Sequence, residues 1–373
     1  MRVLVLGGYG NFGARIARAL AGDAAIELLI GGRDGFRATA FAAELGGGAE
    51  GLALDMDGPD LVPRLQQARV ELLIHTAGPF QSQQHYRVAR AAAEAGAHYI
   101  DLADGRRFVC DFSAQMDALF KSAGRVGISG ASTVPALSSA VVDALSAGWQ
   151  ALHTIDICIA PAQTAPRGLA TMAAVLSYCG APIRVWQDGA WTEQPGWAAP
   201  QRVDFRRLRP RLAALCDIPD LELLPARYAG VRTVMFGAAL ELGFTQRGMA
   251  LLARLRRADL LPRPERLAAL MLKTAGWLDP LGSALGGMVV ALSGRDAEGR
   301  PVARSWHIAA DDDHGPEIPC MAAILLARRL ARGDKSVAAG AQPCMGLLSL
   351  DEFAPEFERW GMVCDLVDDG ARP

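Results

Sequence analysis

The first thirteen residues, MRVLVLGGYGNFG, constrain the fold of this chain more than any other stretch. Arg2 to Leu6 reads as a short buried strand. It runs into Gly8-Tyr9-Gly10-Asn11-Phe12-Gly13 and then into Ala14 to Leu20, whose apolar spacing is helical. Strand, glycine turn and helix, in that order, are what a dinucleotide-binding fold needs. Gly8 is expected to allow the tight turn, Gly10 to let backbone approach a pyrophosphate, and Gly13 to let the helix pack on the strand. The pyrophosphate then sits on the unpaired N–H groups of the helix N-terminus. Gly7, Gly8, Tyr9, Gly10, Asn11, Phe12 and Gly13 are therefore the first candidate cofactor-binding residues.

The rest of the first third alternates strand and helix, as a parallel sheet with crossover helices does. Strands are expected at Ile26–Ile30, Gly51–Leu54, Glu71–His75, His98–Leu102 and Val126–Ser129, and helices at Phe36–Leu45, Asp60–Gln67, Gln84–Ala95 and Phe112–Ala123. Ser132-Thr133-Val134-Pro135 reads as a cap with proline in the first turn, opening a helix to about Ala147. Beyond it the pattern changes. Thr154–Ala160, Arg232–Gly237, Met288–Ser293 and Arg304–Ala309 read as strands, the last two joined by a hairpin turn at Gly294–Gly299. Helices are expected near Leu169–Tyr178, Met249–Arg257 and Arg263–Thr274, and a strongly apolar one at Pro319–Ala331 is expected to return to the first domain. The expected architecture is α/β: an N-terminal Rossmann doubly wound parallel sheet over 1–133, a second α+β domain with a mixed or antiparallel sheet over 134–314, and a segment 315–373 returning to the first.

Composition narrows the partners. Over 373 residues a net charge of −2 gives no bulk attraction to nucleic acid or to an anionic membrane, and no uncharged run is long and apolar enough to insert in a bilayer. The seven cysteines are scattered, odd in number and without metal spacing, which reads as a reducing cytoplasm. A strand that starts at Arg2 leaves no signal peptide. The six histidines show no metal spacing, and Asp311-Asp312-Asp313-His314 reads as a solvated loop, so no metal is expected.

The end of the second strand selects the cofactor. Gly31-Gly32-Arg33-Asp34 puts Arg33, and not an acid, 20 residues past Gly13. A guanidinium matches a ribose 2′-phosphate, with two small residues leaving room for it, so NADP(H) is favoured and NAD(H) is the alternative, in which Arg33 is a solvated loop charge and Asp34 takes the ribose. Asp55, ending the third strand, either meets the adenine amino group or closes a turn.

Ligands of open parallel sheets bind at the carboxyl ends of the strands. In Thr76-Ala77-Gly78-Pro79-Phe80, the backbone at Ala77, Gly78 and Pro79 borders the nicotinamide ribose, with Phe80 beside the ring. In the next loop Asp104 positions an amine or supplies a proton, and Arg106 and Arg107 hold a carboxylate; a turn aspartate and solvated arginines are the plainer reading. Asp101, inside a strand, reads as structural, and His75 as a core or turn histidine before a proton donor. Arg167 is the candidate substrate anchor of the second domain, and Trp186, Trp191 and Trp197 form either an apolar substrate wall or core and interface packing. No Tyr-x-x-x-Lys or Gly-x-Ser-x-Gly pattern occurs.

These strand ends resemble the saccharopine dehydrogenase-like reductases, through GGYGNFG at 7–13, GGRD at 31–34, HTAGPF at 75–80, GAHYIDLADG at 96–105 and SGASTVPALSSAVVD at 129–143. Weaker resemblance to a bacterial branch runs through APRGLAT at 165–171, YAGVRT at 228–233 and GAQPCMGLLSLDEF at 340–353. The resemblance implies a Rossmann domain, a second domain closing over the nicotinamide, a homodimer through the second-domain sheet, and hydride transfer to a small molecule. The acceptor it implies is a C=N bond of an amino-acid-derived substrate. The alternatives are reduction of an activated C=C or C=O on an apolar substrate, as in a trans-enoyl reductase, and a catalytically inactive dinucleotide-binding protein. With only three lysines, all outside the motifs, the chain lacks the lysine–histidine pair of the lysine-forming members.

Overall fold

The structure is a computed structural model that describes residues 1–80, 83 and 85–368. In chain order it begins with β1 (Arg2–Leu6), α1 (Asn11–Leu20), β2 (Glu27–Gly32), α2 (Gly35–Leu45), β3 (Glu50–Ala53), α3 (Leu61–Gln67), β4 (Leu72–His75), α4 (Arg87–Glu94), β5 (His98–Asp101), α5 (Arg106–Cys110), α6 (Phe112–Ser122) and β6 (Val126–Ser129). There follow α7 (Ser138–Leu145), β7 (Ala151–Ala160), α8 (Leu169–Tyr178), β8 (Pro182–Gln187), β9 (Ala190–Pro195), β10 (Gln201–Val203), β11 (Arg211–Leu215), α9 (Asp220–Arg227), β12 (Thr233–Ala238), α10 (Gly243–Arg257), α11 (Ala268–Trp277), β13 (Gly286–Arg295) and β14 (Pro301–Ala310). The chain closes with α12 (Ile318–Ala331), β15 (Gly340–Pro343), α13 (Leu350–Arg359) and β16 (Val363–Asp368). Two compact units result. One is Met1–Leu137 with Glu317–Leu348; the other is Ser138–Pro316 with the chain from Ser349 on.

The first unit is a Rossmann-type sheet of seven parallel strands in the order β15-β6-β5-β4-β1-β2-β3. The order reverses between β1 and β4, which makes the loops after these two strands the switch point where such sheets bind ligands. The short apolar runs are buried on both sheet faces: Val3, Leu4 and Val5 of β1 and Leu72, Leu73 and Ile74 of β4 are all inaccessible to solvent. Tyr99, Phe112 and Phe120 fill one face. α12 lies on α1, joined by an ion pair of Arg15 Nε with Glu317 at 2.9 Å and by Arg328 donating to the Ala19 carbonyl.

The second unit carries a mixed sheet in the order β10-β11-β12-β7-β13-β14-β16, with the β8–β9 hairpin attached to β12. The β13–β14 hairpin runs antiparallel over ten pairs, and β12–β7 is parallel.

Three expectations change. The helix expected from Ser132–Pro135 is kinked at its start: a helical turn over Thr133–Leu137 contains Val134 in an extended conformation (φ −125°, ψ 128°), as a residue before proline is forced to be, and regular α7 follows from Ser138. The segment 315–373 divides: Glu317–Leu348 joins the first unit, where β15 extends the sheet beside β6, while the chain from Ser349 belongs to the second, because β16 finds its hydrogen-bond partners on β14. The helix expected from Gln84 starts at Arg87; Gln84 itself lies outside the described residues.

One buried charge makes a stability test of the second unit. Asp220, at the start of α9, is inaccessible and neither of its carboxylate oxygens meets a hydrogen-bond donor within bonding geometry. Burial pushes its pKa up to about 7, an effect the nearby Ser138 hydroxyl partly offsets. Its folded pKa lies above the ordinary 3.8, so its contribution to stability is full below that value and is lost as pH rises through about 7. The Asp220→Asn variant lacks this loss. Its melting temperature relative to wild type is expected to rise between pH 5 and pH 8, by the equivalent of roughly 2–4 kcal/mol at most. A difference that stays constant over that range contradicts the assignment.

Candidate dinucleotide-binding site

The turn after β1 is built from missing side chains. Gly7 adopts φ +82° and carries the turn expected of Gly8. Gly7 and Gly8 both donate to the Gly31 carbonyl, at 2.9 and 3.1 Å. A Cβ on Gly8 would lie 2.7 Å from the Val5 carbonyl oxygen. At Gly13 a Cβ would collide with the Gly7 carbonyl oxygen and come within 2.7 Å of Thr76 Oγ1. Gly13 is thus where α1 touches the end of β1. Thr76, whose hydroxyl donates to the Leu6 carbonyl at 2.9 Å, fills the space these glycines leave. Sequence reasoning placed Thr76 in the loop without giving it a role; its signal is a β-branched hydroxyl ending the strand that faces the glycine turn.

Gly10 precedes α1, which has no side-chain cap and no acidic residue in its first turn. The first helical bond runs from Ala14 N to Gly10 O, so the N–H groups of Asn11, Phe12 and Gly13 have no acceptor within the helix. Uncapped amides at the positive end of a helix dipole, beside exposed Gly10, fit a pyrophosphate.

At the end of β2 the arrangement differs from the expected one. The space over Gly32 is taken by Tyr9, since a Cβ on Gly32 would lie 2.6 Å from Tyr9 Cζ; the glycine makes room for a ring, not for a phosphate. The Tyr9 hydroxyl accepts from Asp34 N at 3.1 Å, and the Arg37 guanidinium lies 4.7 Å over the Tyr9 ring. Asp34 caps α2 by accepting from Arg37 N at 3.0 Å through Oδ1. Arg33 and Arg37 are both exposed, and neither pairs with a carboxylate among the described residues. Asp55 accepts from Asp57 N at 3.1 Å in a turn after β3.

The loop after β4 places Ala77 against Gly7, with Thr76 N donating to the Leu6 carbonyl and Gly78 N to the Thr76 carbonyl. Phe80 is buried, edge-on to His75 at 5.0 Å and 5.3 Å from Phe108. His75 is a core residue, bonded through Nδ1 to the Tyr99 hydroxyl at 3.0 Å; burial pulls its pKa down to about 4, so it is neutral at neutral pH. Asp101 is structural. It accepts from Ala103 N, Ser129 Oγ and Gly130 N and so ties the β5 and β6 ends together, while burial pushes its pKa up to about 6. Asp104 is exposed in the next loop, Arg106 is buried, and Arg107 pairs with Asp111 at 3.2 Å.

In the second unit, Arg167 is committed through Nη2 to Asp279, which also accepts from Gln163 Nε2. The tryptophans divide. Trp186 and Trp191 face each other across the β8–β9 hairpin with centroids 5.2 Å apart, whereas Trp197 is buried. Among the described residues, no group of three or more His, Cys, Asp or Glu side chains is placed to hold a metal ion.

Residues 3–129 match the family model described as the saccharopine dehydrogenase NADP binding domain. The first unit is therefore a nicotinamide dinucleotide-binding domain of the saccharopine dehydrogenase type. The whole fold is similar to saccharopine dehydrogenase (L-Glu forming) from Saccharomyces cerevisiae, with 13% identity, 99% of this chain and 100% of that chain covered, and a TM-score of 0.72. A substituted meso-dapdh from Clostridium tetani E88 aligns at 12% identity over 96% of this chain and 98% of that one, with a TM-score of 0.49. No curated protein matches the chain.

A side chain at Gly13 must displace either the Gly7 carbonyl or Thr76. Gly13→Val is expected to weaken NADPH binding by at least roughly tenfold, in line with a misplaced anion cradle, as read by fluorescence titration. Gly248→Ala, at an exposed helical glycine of α10 with nothing within 4 Å of its Cβ position, is the control. Unchanged NADPH affinity in Gly13→Val contradicts the placement of the site.

Proposed function

We propose that the chain is an NADP(H)-dependent oxidoreductase that transfers hydride to a C=N bond of an amino-acid-derived substrate. The observation that carries the cofactor assignment is the pairing of an uncapped α1 N-terminus with two guanidiniums at the β2 end, Arg33 and Arg37, that have no carboxylate partner among the described residues. Arg33, and Arg37 with its guanidinium held against Tyr9, would clamp the 2′-phosphate. Gly7 to Gly13 would hold the pyrophosphate, Asp55 would meet the adenine, and Ala77, Gly78 and Pro79 would border the nicotinamide ribose. The bound nicotinamide supplies the hydride.

The chain's own part is to bind, orient and move a proton. Asp104, exposed at the carboxyl end of the parallel sheet, is assigned to position the nitrogen of the acceptor and to supply its proton. Arg167 is assigned to a substrate carboxylate: its bond to Asp279 engages Nη2 alone and leaves Nε and Nη1 to donate. An amino-acid-derived acceptor is supported by the name of the yeast relative, whose reaction forms L-Glu. The seven free thiols support a cytoplasmic setting. An uncovered hollow of about 610 Å³ on the second sheet, between Asp156, Met235, Ala291 and Ser305, supports pairing of two copies there as a homodimer.

Titration with NADPH and NADH, beside the Arg33→Ala variant, tests the reading. NADPH is expected to bind more tightly, and the variant to lose roughly 10- to 100-fold of NADPH affinity while keeping that for NADH. Equal affinities, unchanged in the variant, contradict the NADP assignment, and binding of neither contradicts the oxidoreductase. Oxidation of NADPH on a panel of imines, with enoyl compounds alongside, then tests the acceptor. Turnover on enoyl compounds alone overturns the C=N assignment.

A further inference from the structure

Eleven large hydrophobic side chains are exposed among the described residues, and six of them fall between residues 244 and 281: Phe244, Leu251, Leu260, Leu270, Trp277 and Leu281. This concentration does not come from a disordered composition, because the stretch holds α10 and α11. α11, AALMLKTAGW, is apolar nearly all round, yet Ala268 is its sole buried residue. A helix of that kind is ordinarily enclosed by protein or lipid. Its exposed Leu270, Lys273 and Trp277 are spaced three and four apart and share a face. On α10, Phe244, Arg247, Leu251 and Arg254 form a second exposed stripe of the same kind.

Charge says what covers these faces. The stretch 243–281 contains seven cations, Arg247, Arg254, Arg256, Arg257, Arg263, Arg266 and Lys273, against Asp259, Glu265 and Asp279, a local excess of +4 in a chain of net −2. Among the described residues none of the seven pairs with a carboxylate, Arg256 donating instead to the Ser177 and Cys179 carbonyls, and Asp279 is engaged by Arg167. A second copy docked symmetrically would bring these uncompensated cations against each other. A surface that is apolar and anionic at once satisfies both features, and an anionic phospholipid headgroup layer with its acyl boundary is such a surface. No helix among the described residues is long and apolar enough to cross a membrane, so the contact lies in the plane of the interface.

We propose that α10 and α11 form a peripheral membrane-docking face, with Trp277, Leu270 and Phe244 entering the headgroup region and the arginines and Lys273 pairing with anionic phospholipid. The proposal does not rest on the proposed reaction.

The test is co-sedimentation of the full chain with vesicles of phosphatidylcholine alone and of phosphatidylcholine mixed with phosphatidylglycerol. Binding is expected to the mixed vesicles, to weaken as salt is raised, and to be slight on phosphatidylcholine. The double variants Leu270→Ser/Trp277→Ser and Arg254→Glu/Lys273→Glu should each lose on the order of tenfold or more of vesicle affinity. Both keep their NADPH titration, which reports the folded chain. Binding to neither vesicle, or binding that both variants leave unchanged, overturns the proposal. Self-association that the Leu270→Ser/Trp277→Ser variant abolishes, without vesicle binding, also overturns it and assigns the face to a second copy.

Discussion

The contact between the Gly7 carbonyl and the α-carbon of Gly13 sets the geometry on which the first unit depends. It fixes how closely α1 approaches the end of β1, and through Thr76 it sets the end of β4 against the same turn. Because the helix starts so close to the strand, its first free amides open at the switch point of the sheet. Asp101 does the corresponding work for β5 and β6. One buried carboxylate accepts three hydrogen bonds from two loops, which compensates part of its desolvation.

Much of this was legible in the sequence because short parallel strands, buried on both faces, appear as apolar runs cut off by turn residues. Leu72 to His75 ended by Gly78-Pro79, and His98 to Asp101 ended by Asp104-Gly105, are of this kind. In the second sheet the inner parts of β7, β12, β13 and β14 were legible too, β7 through the alternation of Ile155, Ile157 and Ile159, while β8 to β11 were not expected. What was not legible depends on tertiary partners. β15 consists of Gly340, Ala341, Gln342 and Pro343, a sequence with no strand signature, and it is a strand because the β6 edge offers it hydrogen bonds. β16 likewise exists through β14. The capping box of α13, Ser349 with Glu352, was a local signal passed over.

A glycine shows that space is needed and does not show what fills it. Gly32, expected to leave room for a phosphate, holds the Tyr9 ring. Phe80, expected beside the nicotinamide, packs on His75 and Phe108. Likewise Ser132-Thr133-Val134-Pro135 has the composition of a cap, but the constraint proline places on Val134 kinks the helical turn over Thr133–Leu137 that leads into α7. Arg33, singled out by its position 20 residues past Gly13, is exposed, and among the described residues no carboxylate pairs with it.

The central claim is that a dinucleotide lies across the turn after β1, and hydrogen exchange of the full chain with and without NADPH tests it most directly. The account predicts that NADPH slows exchange in peptides covering 7–14, 31–37 and 76–80, and leaves the β13–β14 hairpin unchanged. Protection elsewhere with none in the 7–14 segment would contradict it.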